Sequence, residues 1–440
     1  MKFKKTKKYL GAAEIVRRLK KAGHETFLVG GCVRDLLMGR EPKDFDIATH
    51  ARPEEVARLF PRTIPVGAQF GVQMVLRGKT PYEVATFRTD LEYRDGRHPE
   101  GVKFTGPKED ALRRDFTVNG LFWDPVRGRV VDYVQGRKDL ERRVIRAIGD
   151  PVKRFTEDRL RVLRAIRFSA HLDFRVDSKT WSAVKQSARE ILQVSPERIR
   201  DEIVKLFTGP NPGEGLELLD ESGLLEIILP EVARTKGVAQ PPEFHPEGDV
   251  FVHTKLVMDQ LTGASAVVVL GGLLHDIGKP PTFKIAERIR FDGHDRVGAV
   301  MAEKICRRLR FSNAETGAIT ELVKDHMRFK DVRQMRLSTL KRFMAKPTFR
   351  EEMKLHRADC MASHKDLTNW KFLRIKLKEL PPEEIKPKPL INGHDLLQMG
   401  YPEGPGIGAI LKAVEERQLD KELNSHSEAL IWVSEIFPRR

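Results

Sequence analysis

The stretch "FLVGGCVRDLLMGREPKDFDIATH", residues 27 to 50, restricts the fold more than any other part of the chain. The apolar run "TFLVGG" reads as a strand ending at a glycine turn, "CVRDLLMG" as a short helix stopped by Gly39, and "FDIAT" as a second strand. Around it, Leu10, Ile15, Val16 and Leu19 recur at helical spacing and predict a helix over about residues 10–22, with its cations outward. Pro53 opens another helix, and "GVQMVLRG" and "PYEVATFR" read as strands joined at "GKTP". Residues 1–149 therefore predict a head with a mixed sheet. Residues 88–106, crowded with charge, glycine and proline, predict a mobile loop within it.

Beyond Asp150-Pro151 the strand signals largely stop and apolar residues recur at helical spacing. The proline-rich stretches "ARTKGVAQPPEFHPEGD" and "LPPEEIKPKPL" divide the rest of the chain into a helical neck (150–232), a histidine-rich helical domain (233–380) and a helical tail (381–440). The class is α+β, and 440 residues exceed what one ordinary core organises.

Lys plus Arg number 79 against 63 Asp plus Glu, a formal charge of +16, which favours a polyanionic partner, nucleic acid first. Cys32, Cys306 and Cys360 have neither metal-site spacing nor the number for a disulfide framework. The basic N-terminus lacks the apolar core of a signal peptide, and no apolar run approaches the roughly 18 residues of a membrane helix. A soluble, cytoplasmic protein is expected, without a membrane or an obligate protein partner.

In a strand, residues two apart share a face, so Asp44 and Asp46 would present two carboxylates side by side. Like charges that close call for a cation between them, and hard oxygen ligands suit Mg²⁺ in two-metal phosphoryl chemistry. Gly30 and Gly31 let backbone approach a phosphate chain, and Arg34 on the first helical turn adds a bidentate contact. Each half is a common surface pattern; together they predict a nucleoside triphosphate site. Glu83 on a later strand is either a third carboxylate or an exposed strand acid.

The order G-G-x-V-R-D then K-D-F-D, followed by "RRDFTVNGLFWD" (113–124) and "EDRLRVLRAIRFSAHLDF" (157–174), resembles the nucleotidyltransferase head and neck of class II CCA-adding enzymes and bacterial poly(A) polymerases. That resemblance implies that Arg113, Arg114, Asp115 and Asn119 hold the ribose, with Asp115 and Asn119 four apart on one helix face or Asp115 simply capping the helix. It also implies that Glu157, Asp158 and Arg161 form the amino-acid template, with Arg164 and Arg167 beyond them on the nucleotide side. A carboxylate accepts from an exocyclic amine and a guanidinium donates to ring acceptors, so Asp158 and Arg161, one helical turn apart, would admit CTP and ATP and reject UTP and GTP. Without the resemblance, the pair reads as a surface salt bridge. "SPERIRDEIVKLF" resembles the last neck motif, making Arg198 and Arg200 braces of the nucleotide helix or RNA contacts. The loop around "DGRHPEGVKF" resembles the one that helps switch C addition to A addition, which argues against an enzyme confined to CC.

His253, then His275-Asp276 in "LLHDIGK", then Asp359 form the pattern H…HD…D, which resembles the HD superfamily of metal-dependent phosphohydrolases. The resemblance implies a divalent transition metal on those four residues, with His294 and His326 at positions that take a second ion in some members. In the tail, "GPGIG" marks a helix start that either meets an RNA phosphate or is a plain helix N-terminus.

The resulting expectation is a two-metal nucleotidyltransferase that adds CCA to the 3′ end of tRNA from CTP and ATP. An enzyme adding only A, or a poly(A) polymerase, is the alternative. An HD hydrolase as the main activity and a non-catalytic RNA-binding protein stand further off.

Overall fold

The computed structural model describes residues 3, 5–66, 71–90 and 101–438, in two compact units, Met1–Ala233 and Arg234–Arg440. The expected head and neck share the first unit, and the histidine-rich domain and tail share the second.

In the first unit, α1 (Lys7–Lys21) starts where the Thr6 side chain accepts from the Tyr9 amide, and it buries Ala12, Ile15, Val16 and Leu19. Arg18, Lys20 and Lys21 fill its last turn, where cations suit the helix dipole. Then come β1 (Thr26–Val29), α2 (Gly31–Leu37), β2 (Asp46–Thr49), α3 (Pro53–Leu59), β3 (Thr63–Pro65), β4 (Val72–Arg77) and β5 (Thr80–Thr86). A short ribbon, β6 (Arg88–Asp90) with β7 (Val102–Phe104), precedes α4 (Pro107–Leu112), β8 (Leu121–Asp124) and β9 (Arg129–Asp132). The sheet runs β3-β4-β5-β2-β1-β8-β9; β2 and β5 are parallel and the other pairs antiparallel.

Strand alternation places the core on both faces of this sheet. Leu28 joins Ile15, Val33, Ile47 and Val84 on the face covered by α1 and α2, while Phe27, Val29, Phe87 and Phe122 pack on the other. The backbone turns from β1 into α2 at Gly30, whose φ of 76° favours glycine and where a Cβ would stand 2.9 Å from an Arg114 nitrogen. The glycine thus brings bare backbone against a guanidinium.

Four local expectations are corrected. Asp46 is the first residue of β2 and Asp44 lies two residues before it, so the two aspartates are not partners within one strand. The ends of the expected loop at 88–106 pair as β6 and β7; residues 91–100 lie outside the described residues. The segment after Arg114 is a 3-10 turn, Thr117–Asn119, not an α-helix capped by Asp115. Its geometry is set by β-bridging of Phe116 to Ala147 and by the Asp115 carboxylate accepting from the Phe116 amide at 2.8 Å. Last, α5 (Gly136–Glu141) and α6 (Pro151–Glu157) are followed by a break: Asp158 is extended, with φ of −140°, and α7 (Arg161–Leu172) begins at Arg161. Asp158 and Arg161 therefore stand on either side of a helix junction rather than on one turn.

The neck continues through α8 (Ser178–Gln186) and α9 (Pro196–Phe207), and β10 (Val144–Ile145) pairs in parallel with β11 (Arg175–Val176) to join head and neck. In the second unit, the helices Val250–Gln260, Ala266–Leu274, His294–Arg308, Asn313–Asp325 and Phe349–Ala362 carry the histidine-rich segment. The tail helix Pro405–Leu419 begins within "GPGIG" as expected, and Leu396, Ile410, Val414 and Val433 give the tail its own apolar cluster.

Phe122 is fully buried between Phe27 and Phe87, with ring centroids 5.8 and 6.3 Å away. Replacing it with alanine is expected to cost the head about 3–5 kcal/mol, measured as faster hydrogen exchange of the β1 and β8 amides.

Candidate nucleotide and metal sites

The first unit holds a cavity of about 350 Å³ lined by Gly30, Gly31, Arg34, Asp46 and Phe168, by Arg113 to Asp115 with Asn119, and by Asp158, Arg161 and Arg164. Five arginines face three aspartates here, and each guanidinium has a carboxylate near it. Asp110, 1% exposed, accepts from Arg113 on one oxygen (2.9 and 2.7 Å) and from Arg114 on the other (3.3 and 3.0 Å). Those two cations hold its carboxyl below the usual range despite burial. Arg34 donates to Asn119 Oδ1 at 2.6 Å and through two nitrogens to Asp35.

Asp115 is the hub between head and neck. Its Oδ2 accepts from Arg164 at 2.9 and 2.5 Å, and its Oδ1 accepts from Asn119 at 3.2 Å. Burial alone would raise its pKa; Arg164 outweighs burial and brings it down to about 2. The expected pairing of Asp115 with Asn119 is thus present without the helix that was to supply it.

The expected contact between Asp158 and Arg161 is not formed. Arg198 donates to both Asp158 oxygens at 3.0 and 3.2 Å, whereas Arg161 donates to Glu157 at 2.8 Å, to the Arg154 carbonyl at 2.9 Å and to the Arg113 carbonyl at 3.3 Å. Both still line the one cavity. Arg198 thus holds the Asp158 carboxylate. Arg200 donates to its neighbour Asp201 at 2.8 Å. Glu157 and Arg167 lie behind the lining: Glu157 holds Arg161, and Arg167 donates to buried Glu202 at 2.6 Å while covering the Phe168 ring at 4.1 Å.

Asp46 lines the cavity, and its carboxyl is pushed up by burial and by Asp44. Glu83 is likewise raised, by burial and by Asp46. Asp44 is 88% exposed, with the Lys8 ammonium 3.9 Å away. Asp46 thus stands in the field of Asp44 and acts in turn on Glu83, and carboxylate oxygens of this kind suit a hard divalent cation.

The second unit gathers the expected histidines. His253 Nε2 lies 3.0 Å from Asp359 Oδ1, and His275 Nε2 lies 3.2 Å from Asp276 Oδ2. On the other side of the Asp276 carboxylate, Oδ1 faces His294 Nε2 at 3.6 Å and His326 Nε2 at 3.8 Å. Asp276 is thus placed as a bridge between two ligand sets. Both ring nitrogens of His253, His275 Nε2 and Asp276 Oδ2 are buried without a well-aligned hydrogen bond, and the Lys279 ammonium stands 2.6 Å from that Asp276 oxygen. The residues fit a two-ion centre.

Sequence reasoning missed Asp110, Phe168 and Glu202. The spacing of Asp110 to Arg113 and Arg114, three and four residues, was the available signal for the first. Phe168 and Glu202 carry none.

Residues 26–146 match the family model described as the Poly A polymerase head domain, 173–235 match the RNA and SrmB-binding site of polymerase A, and 296–433 match tRNA nucleotidyltransferase domain 2. The CCA-adding enzyme of Lactococcus lactis subsp. cremoris (strain MG1363) is 32% identical over 440 residues, covering 98% of this chain and 97% of its own. That of Geobacillus kaustophilus is 48% identical over 218 residues, and there the chain spans about half (54%) of its relative's length. A Bacillus stearothermophilus CCA-adding enzyme solved in complex with CTP shares the fold with a TM-score of 0.75 and 26% identity over 98% of both chains.

The pair of Asp115 and Arg164 gives a pH test. A carboxylate with its pKa depressed in the folded state contributes stability above its unfolded value near 3.9 and loses it as pH falls through the folded value. Because Asp115 titrates at about 2, the advantage of the wild type over Asp115→Asn is expected to shrink by about 2 kcal/mol between about pH 4 and pH 2, read by thermal unfolding.

Proposed function

The chain belongs to the CCA-adding enzyme family, and from that premise we propose that it extends the 3′ end of transfer RNA by CCA, using CTP and ATP. The observation that carries the reading is the single cavity in which Gly30, Gly31 and Arg34, the acid Asp46, and the base-reading groups Asp158 and Arg161 all meet. Phosphate binding, phosphoryl chemistry and base choice are then within one nucleotide's reach.

Bare backbone at Gly30 and Gly31 lets the triphosphate approach closely, and Arg34, Arg113 and Arg114 supply its positive surroundings. Their acid partners hold each guanidinium in place before substrate arrives, so little side-chain entropy is lost on binding. Asp115 and Asn119 are placed for the ribose hydroxyls; a deoxyribose would leave one of these polar groups unpaired. Asp158, fixed by Arg198, accepts from the exocyclic amine of cytosine or adenine, and Arg161, fixed by Glu157, donates to the ring acceptor. Uracil and guanine present an N–H where Arg161 donates. Asp44 and Asp46, with Glu83, would hold Mg²⁺, which supplies activation of the attacking 3′-hydroxyl and charge neutralisation on the departing pyrophosphate. The acceptor tRNA is held through shape and backbone by a chain of net charge +16.

The convergent cluster in the second unit favours an additional activity: hydrolysis of phosphoesters, such as 2′,3′-cyclic phosphates, on divalent transition-metal ions held by His253, His275, Asp276 and Asp359, with His294 and His326 beside them. The setting we propose is the cytoplasm. All three cysteines are buried and unpaired, and no helix among the described residues is long and apolar enough to cross a membrane.

With Mg²⁺, CTP and ATP, tRNA lacking CCA is expected to grow by three nucleotides and tRNA ending in CC by one; extension of the second substrate alone would make it an A-adding enzyme. The double variant Asp44→Ala, Asp46→Ala is expected to lose all synthesis and keep phosphoester hydrolysis, whereas surviving synthesis would remove these aspartates from the mechanism.

A further inference from the structure

Three of the four histidines around Asp276 have Nδ1 hydrogen-bonded, and all four turn Nε2 towards the carboxylates. For three of them the partner is a backbone carbonyl three residues earlier: Gly272 O at 2.7 Å from His275, Phe291 O at 2.8 Å from His294 and Val323 O at 2.6 Å from His326. His253 is the exception. It sits in the first turns of the helix Val250–Gln260, and its Nδ1, buried without a well-aligned hydrogen bond, has as its close neighbour Oε1 of Glu247 at 2.6 Å, a side chain only 5% exposed in the proline-rich connector before that helix. The same oxygen is 2.9 Å from Nδ1 of His245, whose ring meets that of His253 edge to face at 4.8 Å.

We propose that Glu247 is a positioning residue for the metal centre, setting the tautomer and the orientation of His253 while His245 braces the carboxylate. The inference rests on the metal reading of the cluster. Glu247 is not itself placed as a ligand of that ion, because it meets Nδ1 whereas Asp359 meets Nε2, so the imidazole ring stands between the carboxylate and the ion. A neutral imidazole carries its proton on either nitrogen; an acceptor on Nδ1 keeps the proton there and leaves the Nε2 lone pair for the metal. An anionic acceptor also makes that lone pair more basic. The other three histidines get the first of these effects from backbone that no side-chain substitution removes. His253 gets both from one side chain, which makes it the ligand whose affinity can be changed from outside the first ring of ligands.

The test uses the full-length protein, stripped of metal and titrated with Co²⁺. Co²⁺ bound by the wild type but not by an Asp276→Ala variant reports the cluster, and its visible absorption reports the ligand field. Glu247→Met keeps the size but not the acceptor, and is expected to weaken this binding by about 10–100-fold and to alter the absorption, with CTP addition by the head unchanged. Glu247→Gln keeps a neutral acceptor and is expected to fall in between. A folded Glu247→Met protein that binds Co²⁺ as tightly as the wild type, with the same spectrum, overturns the proposal. If circular dichroism shows the methionine variant unfolded, the glutamine variant decides: a several-fold loss supports the proposal, and wild-type affinity overturns it. No difference in Co²⁺ binding between the wild type and Asp276→Ala refutes the metal reading instead.

Discussion

The Asp115 carboxylate, clasped by Arg164 at 2.9 and 2.5 Å, fastens the segment after α4 to α7, the helix that begins at Arg161. Both side chains sit in the same cavity as Arg34, Arg113, Arg114 and Arg161. Cations packed that closely repel one another, and burial makes each costlier. The structure answers with an acid beside each, Asp110 serving two: Asp35 for Arg34, Asp110 for Arg113 and Arg114, Asp115 for Arg164, Glu157 for Arg161. Behind the cavity, Glu202 does the same for Arg167. In the function proposed above, a pocket assembled in this way would offer positive charge to a triphosphate and hold its arginines in place before the triphosphate arrives.

The second unit solves a related problem with opposite means. There Asp276 is central, with histidine rings and the Lys279 ammonium around it. Asp276 offers one oxygen to each side, and His294 and His326 are kept uncharged by burial and by neighbouring positive groups; His326 is lowered to about 3. Backbone carbonyls, not acids, orient three of the four rings. For the function proposed above, the head would need fixed positive charge around a polyanion, whereas this cluster would need lone pairs around a cation.

Much of this was legible in the sequence, because the strongest signals were local. The glycine turn, α2, β1, β2 and the helical neck arise from apolar period and from glycine and proline positions, and they lie where those patterns put them. What failed was inference from spacing alone. Asp44 and Asp46 were expected in one strand, and Asp158 and Arg161 on one helical turn; in each case the chain changes conformation between the two residues. They still converge because distant partners, Arg198 for Asp158 and Arg113 O for Arg161, pull them to one place. Glu247 was invisible for a similar reason: a glutamate in a proline-rich break carries no period, and its role comes from a ring brought to it by the helix after it.

Under the proposed role of Asp158 and Arg161 in reading the base, the helix break between them bears on base choice. Had the two shared a helical turn, their separation would be fixed by helix geometry and would match one base edge only. With a break between them, Asp158 follows α9 through Arg198, and Arg161 is tied to the head through the Arg113 carbonyl and to α6 through Glu157. The spacing of the two groups is then set by how α9 stands against the head. Cytosine and adenine present their amine and ring acceptor at different distances from the sugar, and a pair mounted on two supports can meet both.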